Sequence, residues 1–287
     1  MKFYCVNSDD QDVSYLAFKN ICDKKGIEFV TLNPLDTNLL SLNVQKGDLV
    51  YRIAPNNKAA NFIEKEVLYK GAIGFYRCPS EECLLEGGLL AYFKNQELPS
   101  PKTINVITEN KETLKEYVDF LGGFPIILKV LGGSKGFGVM KIESFESLFS
   151  IIDYFKEDVI NKGIILREFI EHDKQIRAIV LGDNILFNYS RIREEDDFRT
   201  NSKKTTKEVT QVSEEIKNIA INSVKNMNVE FGGVDILIEK KTGKPYLAEV
   251  NFPCSLKIAR ELAKQNDIEI EESMLNFLID KSNRLSR

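Results

Sequence analysis

Residues 233–251 read GVDILIEKKTGKPYLAEVN, and two carboxylates, Asp235 and Glu249, interrupt otherwise apolar runs. Residues 234–239 and 245–250 are rich in Ile, Leu and Val and predict two strands. Between them Lys241, Thr242 and Gly243 predict a three-residue hairpin loop, with Gly243 supplying the positive φ such loops favour at their end. A loop centred on Thr242 puts Asp235 directly across from Glu249, and the two-residue period of a strand puts Asn251 on the same face. Like charges facing each other destabilise a sheet, so something positive is expected between them. Two carboxylates and an amide oxygen form a hard-oxygen set of the kind Mg²⁺ accepts together with water and phosphate oxygens. From this hairpin alone, two solvent-facing acids on an exposed strand account for the pattern equally well.

The rest of the chain bounds the choice. Its 287 residues are enough for two domains or one larger α/β unit. A formal net charge of −4 gives no reason to expect nucleic acid as a partner. No apolar run reaches membrane-spanning length, and MKFYCVNSDD has no signal-peptide pattern. The five cysteines are irregularly spaced, and a single histidine, His172, cannot complete a zinc site with Cys78 and Cys83. Free thiols in a reducing cytoplasm are the expectation. His172 reads as a surface residue.

The N-terminal third alternates strands (3–6, 27–32, 48–53, 72–76) with helices, one carrying Val13, Leu16, Ala17 and Ile21 and stopping at Gly26, the other over 59–69. That alternation predicts a parallel sheet. VNSDD after the first strand is not G-x-G-x-x-G, so no dinucleotide fingerprint is present. A helix over 84–95 leads to Leu98-Pro99-Ser100-Pro101, an extended connector and a boundary. Beyond it come a helix over 111–121 closed by Gly122, strands at 125–130 and 139–142, a helix over 145–155, strands at 163–170 and 175–181, a charged loop over 191–207, a helix over 213–227, the hairpin, and a closing helix over 267–278.

Residues 131–138 read LGGSKGFG. Small residues let backbone amides approach phosphate oxygens. The pattern is not G-x-x-x-x-G-K-[ST], and a strand follows rather than a helix, so the turn predicts a hairpin flap. Lys129, in the strand before it, is placed to meet a phosphate as a point charge.

The order of these pieces is more specific than any one of them. FPIILKVLGGSKGFGV, ILREFIEHDKQIRAIVLGD, DFRTN, FGGVDILI and YLAEVN follow one another over roughly residues 98–256. This succession resembles the ATP-grasp superfamily, in particular RimK-like carboxylate–amine ligases. The resemblance implies an α/β (α+β) ATP-grasp fold preceded by a small parallel α/β domain. The expected parts are 1–97 as the N-terminal domain, 98–166 as the small subdomain with the flap, and 167–287 as the C-terminal subdomain with the metal site. It implies ATP and Mg²⁺, with Mn²⁺ the alternative ion, held by Asp235, Glu249 and Asn251. It implies nucleotide contacts from Lys129, Gly133, Ser134, Gly136, Gly138, the backbone at Glu168 and Phe169, Gln175 and Asn201. Arg199 is then the catalytic cation.

The activity implied is amide formation through an acyl phosphate, with release of ADP and phosphate. The partners would be a carboxylate substrate and an amino-compound acceptor, which could be a small molecule, a peptide or a protein tail, in a cytoplasmic enzyme that is monomeric or a homo-oligomer. A nucleotide-binding module without turnover and an ATP-grasp kinase are the alternatives. Arg191, Arg193, Lys203 and Lys204 could bind an anionic substrate, but a solvated charged loop accounts better for at least half of them. Three positions depart from the family pattern: Glu86 where a phosphate-binding lysine is usual, Arg167 for Gln, and Gln175 for a ribose-contacting Asp.

Overall fold

The computed structural model describes residues 1–53, 58–78, 97–130, 138–155, 163–193 and 205–285. The N-terminal part runs β1 (Lys2–Val6), α1 (Val13–Lys25), β2 (Glu28–Leu32), β3 (Leu49–Arg52) and α2 (Lys58–Tyr69). Its strands pair in the order β2-β1-β3, all parallel, as the strand–helix alternation predicts. The Asp12 carboxylate caps α1 by accepting from the Ser14 and Tyr15 N–H groups, and Gly26 ends it in the left-handed conformation. The expected strand over 72–76 is reduced to two isolated bridges, Leu49–Ile73 and Tyr76–Val229. Its hydrogen bonds are divided. Ile73 serves β3, Phe75 accepts from Glu230, and the buried Lys281 ammonium takes the Gly74 and Tyr76 carbonyls.

A second sheet is built from β4 (Thr103–Val106), β5 (Ile126–Val130), β6 (Val139–Ile142) and β7 (Ile164–Glu168), in the order β4-β7-β5-β6 and antiparallel throughout. Helices α3 (Lys111–Leu121) and α4 (Phe145–Tyr154) cover one face, with Leu114, Val118, Leu148 and Ile152 packed on Ile126, Leu128 and Leu166. Strand alternation leaves Lys129, Lys141 and Arg167 on the other face.

The third sheet is antiparallel, in the order β10-β9-β8-β11-β12. It comprises β8 (His172–Leu181), β9 (Asn184–Ile192), β10 (Thr206–Val209), β11 (Phe231–Glu239) and β12 (Pro245–Asn251). Helix α5 (Glu214–Asn226) covers its apolar face, where Val224 meets Gly232 and Val250. Helices α6 (Lys257–Lys264) and α7 (Ile270–Leu285) complete the chain. This core is continuous with that of the N-terminal sheet.

The charged loop expected over 191–207 is strand at both ends. Arg191 and Ile192 finish β9, and Thr206 and Lys207 begin β10. The charges hide the alternation of Phe187, Tyr189 and Arg191, all buried on one face. Helix α6 is an addition to the expected elements, and the closing helix extends past 278 because Lys281 and Ser282 find buried acceptors on the N-terminal part. Among the described residues no helix is long and apolar enough to cross a membrane.

Candidate functional site

Asp235 does pair with Glu249, but by a different route from the one the loop predicts. The turn is closed by Glu239 and Lys244, with Gly243 at φ 75 donating its N–H to the Glu239 carbonyl. That loop holds one residue more than expected, and near it Ile238 faces Pro245 and Ile236 faces Leu247. A bulge at Ala248 shifts the register by one and brings Glu249 opposite Asp235, with Asn251 opposite Gly233. Arg167 secures the bulge. Its Nη1 donates to the freed Ala248 carbonyl (3.0 Å) and its Nε to Thr103 Oγ1 (3.1 Å). Arg167→Met should therefore lower the unfolding free energy by about 1–3 kcal/mol, seen as an earlier urea midpoint. An unmoved midpoint would mean that the Ala248 carbonyl finds another donor.

The three oxygen-bearing side chains share a face. Asn251 Nδ2 lies 3.4 Å from Asp235 Oδ2. Positive groups surround them, as the facing carboxylates require. From the second sheet, Lys129 Nζ meets Glu249 Oε1 at 3.1 Å. From β8 and β9, Arg177 Nε and Arg191 Nη1 lie 3.2 and 3.5 Å from Asp235 Oδ1. Burial pushes the Glu249 carboxyl up, but Lys129, with Arg167 and Arg177 behind it, outweighs burial and holds it below the ordinary glutamate range. Burial likewise opposes charge on Arg177, and Asp235 more than restores it.

Four cations thus stand around two carboxylates, which leaves the site electropositive and suited to a polyanion. Asp235 is 2% exposed, and its Oδ1 accepts no hydrogen bond among the described residues, since neither arginine is aligned to donate. A buried carboxylate oxygen left without a donor, beside a second carboxylate and an amide, fits a hard divalent cation. By this test the residues present suit Mg²⁺.

Gln175, buried on β8 two residues before Arg177, faces Arg191 on β9. Glu168 ends β7, and its carboxylate accepts the Lys102 N–H at 3.0 Å. Phe169 follows, with Lys141 Nζ 5.1 Å from its ring centroid. Gly138 has φ 78, and its carbonyl accepts the Val130 N–H, which closes the β5–β6 hairpin. Gly133, Ser134, Gly136, Arg199 and Asn201, with Glu86, Lys203 and Lys204, lie outside the described residues. Two open depressions, about 420 and 300 Å³, lie elsewhere and share no residue with the trio.

A model of the RimK-like ATP-grasp domain matches residues 89–278. The chain belongs to the RimK-like ATP-grasp family. The probable alpha-L-glutamate ligase of Legionella pneumophila (strain Corby) is 26% identical to it over 189 residues, 65% of this chain and 60% of that protein. The ribosomal protein bS6–L-glutamate ligase of Escherichia coli O81 (strain ED1a) is 28% identical over 175 residues, 60% of this chain and 56% of that protein. The chain therefore spans about 60% of the length of the curated relatives it matches. Among solved structures, the ATP-grasp ligase PsnB complexed with a phosphomimetic variant of its minimal precursor, Mg and ADP superimposes with a TM-score of 0.72 at 16% identity, covering 98% of each chain. The D-alanine–D-alanine ligase of Bacillus anthracis gives 0.69 at 18% identity, covering 99% of this chain and 98% of that one. These likenesses extend the shared ATP-grasp fold over nearly the whole chain.

Within that fold Arg177 is the site residue that the motifs do not single out. A signal for it exists in the sequence. Arg177 lies two residues from Gln175 on the same strand face, and Gly233, across the ladder from Ile179, leaves room for its guanidinium. His172, expected at the surface, is buried, because its ring folds back to the Ile170 carbonyl at 2.7 Å.

Proposed function

We propose that the chain is an ATP-dependent carboxylate–amine ligase. It would transfer the γ-phosphoryl group of ATP to a carboxylate and let an amine displace phosphate from the resulting acyl phosphate. The observation that carries this reading is the convergence of Asp235, Glu249 and Asn251 on one face, within reach of Lys129 from the opposing sheet. Asp235, Glu249 and Asn251 would hold Mg²⁺, which would supply positive charge to offset that of the phosphates.

Lys129 would exchange Glu249 for phosphate oxygens of the nucleotide. Arg177 and Arg191, already facing Asp235, would leave the site positive toward the transferred group. Arg199 is assigned the charge on that group or on the tetrahedral oxyanion that follows. Gly133, Ser134, Gly136 and Gly138 are assigned to a flap that would keep water from the acyl phosphate, which water would otherwise hydrolyse. Asn201 is assigned to ATP or the acceptor, and Gln175 to a ribose hydroxyl, which it can meet without charge.

The relatives' names support an amino acid such as glutamate as the amine, and a small molecule, peptide or protein tail as the carboxylate. A cytosolic setting supplies the ATP and suits the buried thiols of Cys5, Cys22 and Cys254, which form no disulfide. The test is hydroxylamine trapping. With ATP, Mg²⁺ and pooled carboxylates, the protein should release ADP and yield a hydroxamate. ADP release with no trappable acyl species would replace the ligase with a kinase, and nucleotide binding without turnover would leave a binding module.

A further inference from the structure

Tyr189, Arg177, Asp235 and Glu249 form one row across the third sheet, each opposite the next on β9, β8, β11 and β12. Residues that face one another across a ladder project from the same side, so Tyr189 belongs to the face that carries the trio. It is buried at the end of the row away from Glu249, with Arg177 between it and Asp235. Arg191, two residues further along β9, shares that face and reaches back over the row. Its Nη2 donates to the Tyr189 hydroxyl oxygen at 3.0 Å, and its guanidinium carbon lies 5.4 Å from the Tyr189 ring centroid.

A buried carboxylate beside two guanidinium groups ordinarily takes their N–H groups in short, charge-assisted bonds. Asp235 does not. Arg177 Nη1 donates instead to the Gly233 carbonyl (3.0 Å), Arg191 Nη2 donates to Tyr189, and Asp235 Oδ1 is left without a donor among the described residues. Each arginine is thus tethered by an uncharged oxygen, near enough to lend its charge but not aligned to occupy the carboxylate. For Arg177 the tether is backbone, and for Arg191 it is one side-chain hydroxyl. We propose that Tyr189 is a positioning residue for the metal site: by accepting from Arg191 it holds that guanidinium off Asp235 and reserves the carboxylate for Mg²⁺. This rests on the Mg²⁺ reading above. A carboxylate at 189 would tether Arg191 equally well but would cancel its charge, and the site would lose the positive potential that a polyanion meets. A hydroxyl accepts without adding charge.

Tyr189→Phe removes the acceptor and keeps the ring against the guanidinium, so the freed Nη2 should turn to Asp235. Calorimetry of ADP binding with and without Mg²⁺ reads the site without turnover. Mg²⁺ should tighten ADP binding to the wild type; in Tyr189→Phe that tightening should shrink about tenfold, while the affinity without Mg²⁺ stays within about twofold. The urea midpoint should not fall, because Arg191 gains a carboxylate as it loses the phenol. In turnover, the Mg²⁺ concentration at half-maximal rate should rise by a larger factor than kcat falls. In an Arg191→Met background, adding Tyr189→Phe should change the tightening by less than about twofold, since no guanidinium remains to be held. Unchanged tightening in Tyr189→Phe, an earlier urea midpoint, or a loss that persists in the Arg191→Met background would each overturn this inference and leave the Mg²⁺ reading standing. A wild type that binds ADP equally with and without Mg²⁺ would overturn both.

Discussion

Replacing Glu249 by glutamine should lower Mg²⁺-dependent ADP formation about a thousandfold, a loss of about 4 kcal/mol of transition-state stabilisation, with little change in stability. The substitution keeps the volume and one oxygen but removes the charge that a divalent ion needs. Its fold cost is small because the partner is Lys129, and the two side chains remain 29% and 18% exposed. Ion pairs that wet contribute about 1 kcal/mol or less.

Asp235 is the poorer probe. It is only 2% exposed, set between two arginines, and neutralising it strands the Arg177 charge in the interior, which costs about 3–5 kcal/mol. Loss of activity in Asp235→Asn would then mix unfolding with chemistry, whereas Glu249→Gln separates them. The measurement is steady-state ADP release against Mg²⁺ concentration, with a urea melt alongside. Turnover within about tenfold of wild type, in a variant that melts normally, would remove the trio from the metal site.

Much of this arrangement is legible in the chain. The facing of Asp235 and Glu249, the place of Lys129 in a strand, and the parallel N-terminal sheet all follow from periodicity and turn residues, because those features are local. The bulge at Ala248 is not local. It exists because Arg167, 81 positions earlier, supplies a donor for the freed carbonyl, and a single strand read alone carries no sign of it. A loop one residue too short still leads to the correct pairing, because the bulge makes up the difference. Strands β9 and β10 are obscured because Arg191 and Lys207 read as solvated charge, while Arg191 is in fact buried toward Asp235. Burial of a charge is decided by its partner, and partners distant in sequence are what pattern reading lacks.

Gly233→Ala should abolish most turnover and destabilise the protein by about 1–3 kcal/mol, a larger penalty than one methyl group suggests. The backbone there has no positive φ, so the reason is space and not conformation. A Cβ at 233 would lie 2.6 Å from Arg177 Nη1 and 2.9 Å from Cys254 Cβ. The guanidinium could swing aside, but doing so breaks its bond to the Gly233 carbonyl and withdraws its charge from Asp235. Cys254 has less latitude, being fixed directly after Pro253 and buried at the base of the site. Either adjustment displaces a neighbour of Asp235, the carboxylate proposed to hold Mg²⁺.

Gly243→Ala is the control. That glycine has φ 75, and nothing lies within 4 Å of where an alanine methyl group would stand. Alanine there should cost about 1–2 kcal/mol of backbone strain and leave ADP formation unchanged. Comparable melting shifts in the two variants, with turnover lost only in Gly233→Ala, would tie activity to where Arg177 stands. Full turnover in Gly233→Ala would mean that the guanidinium has no part in the chemistry.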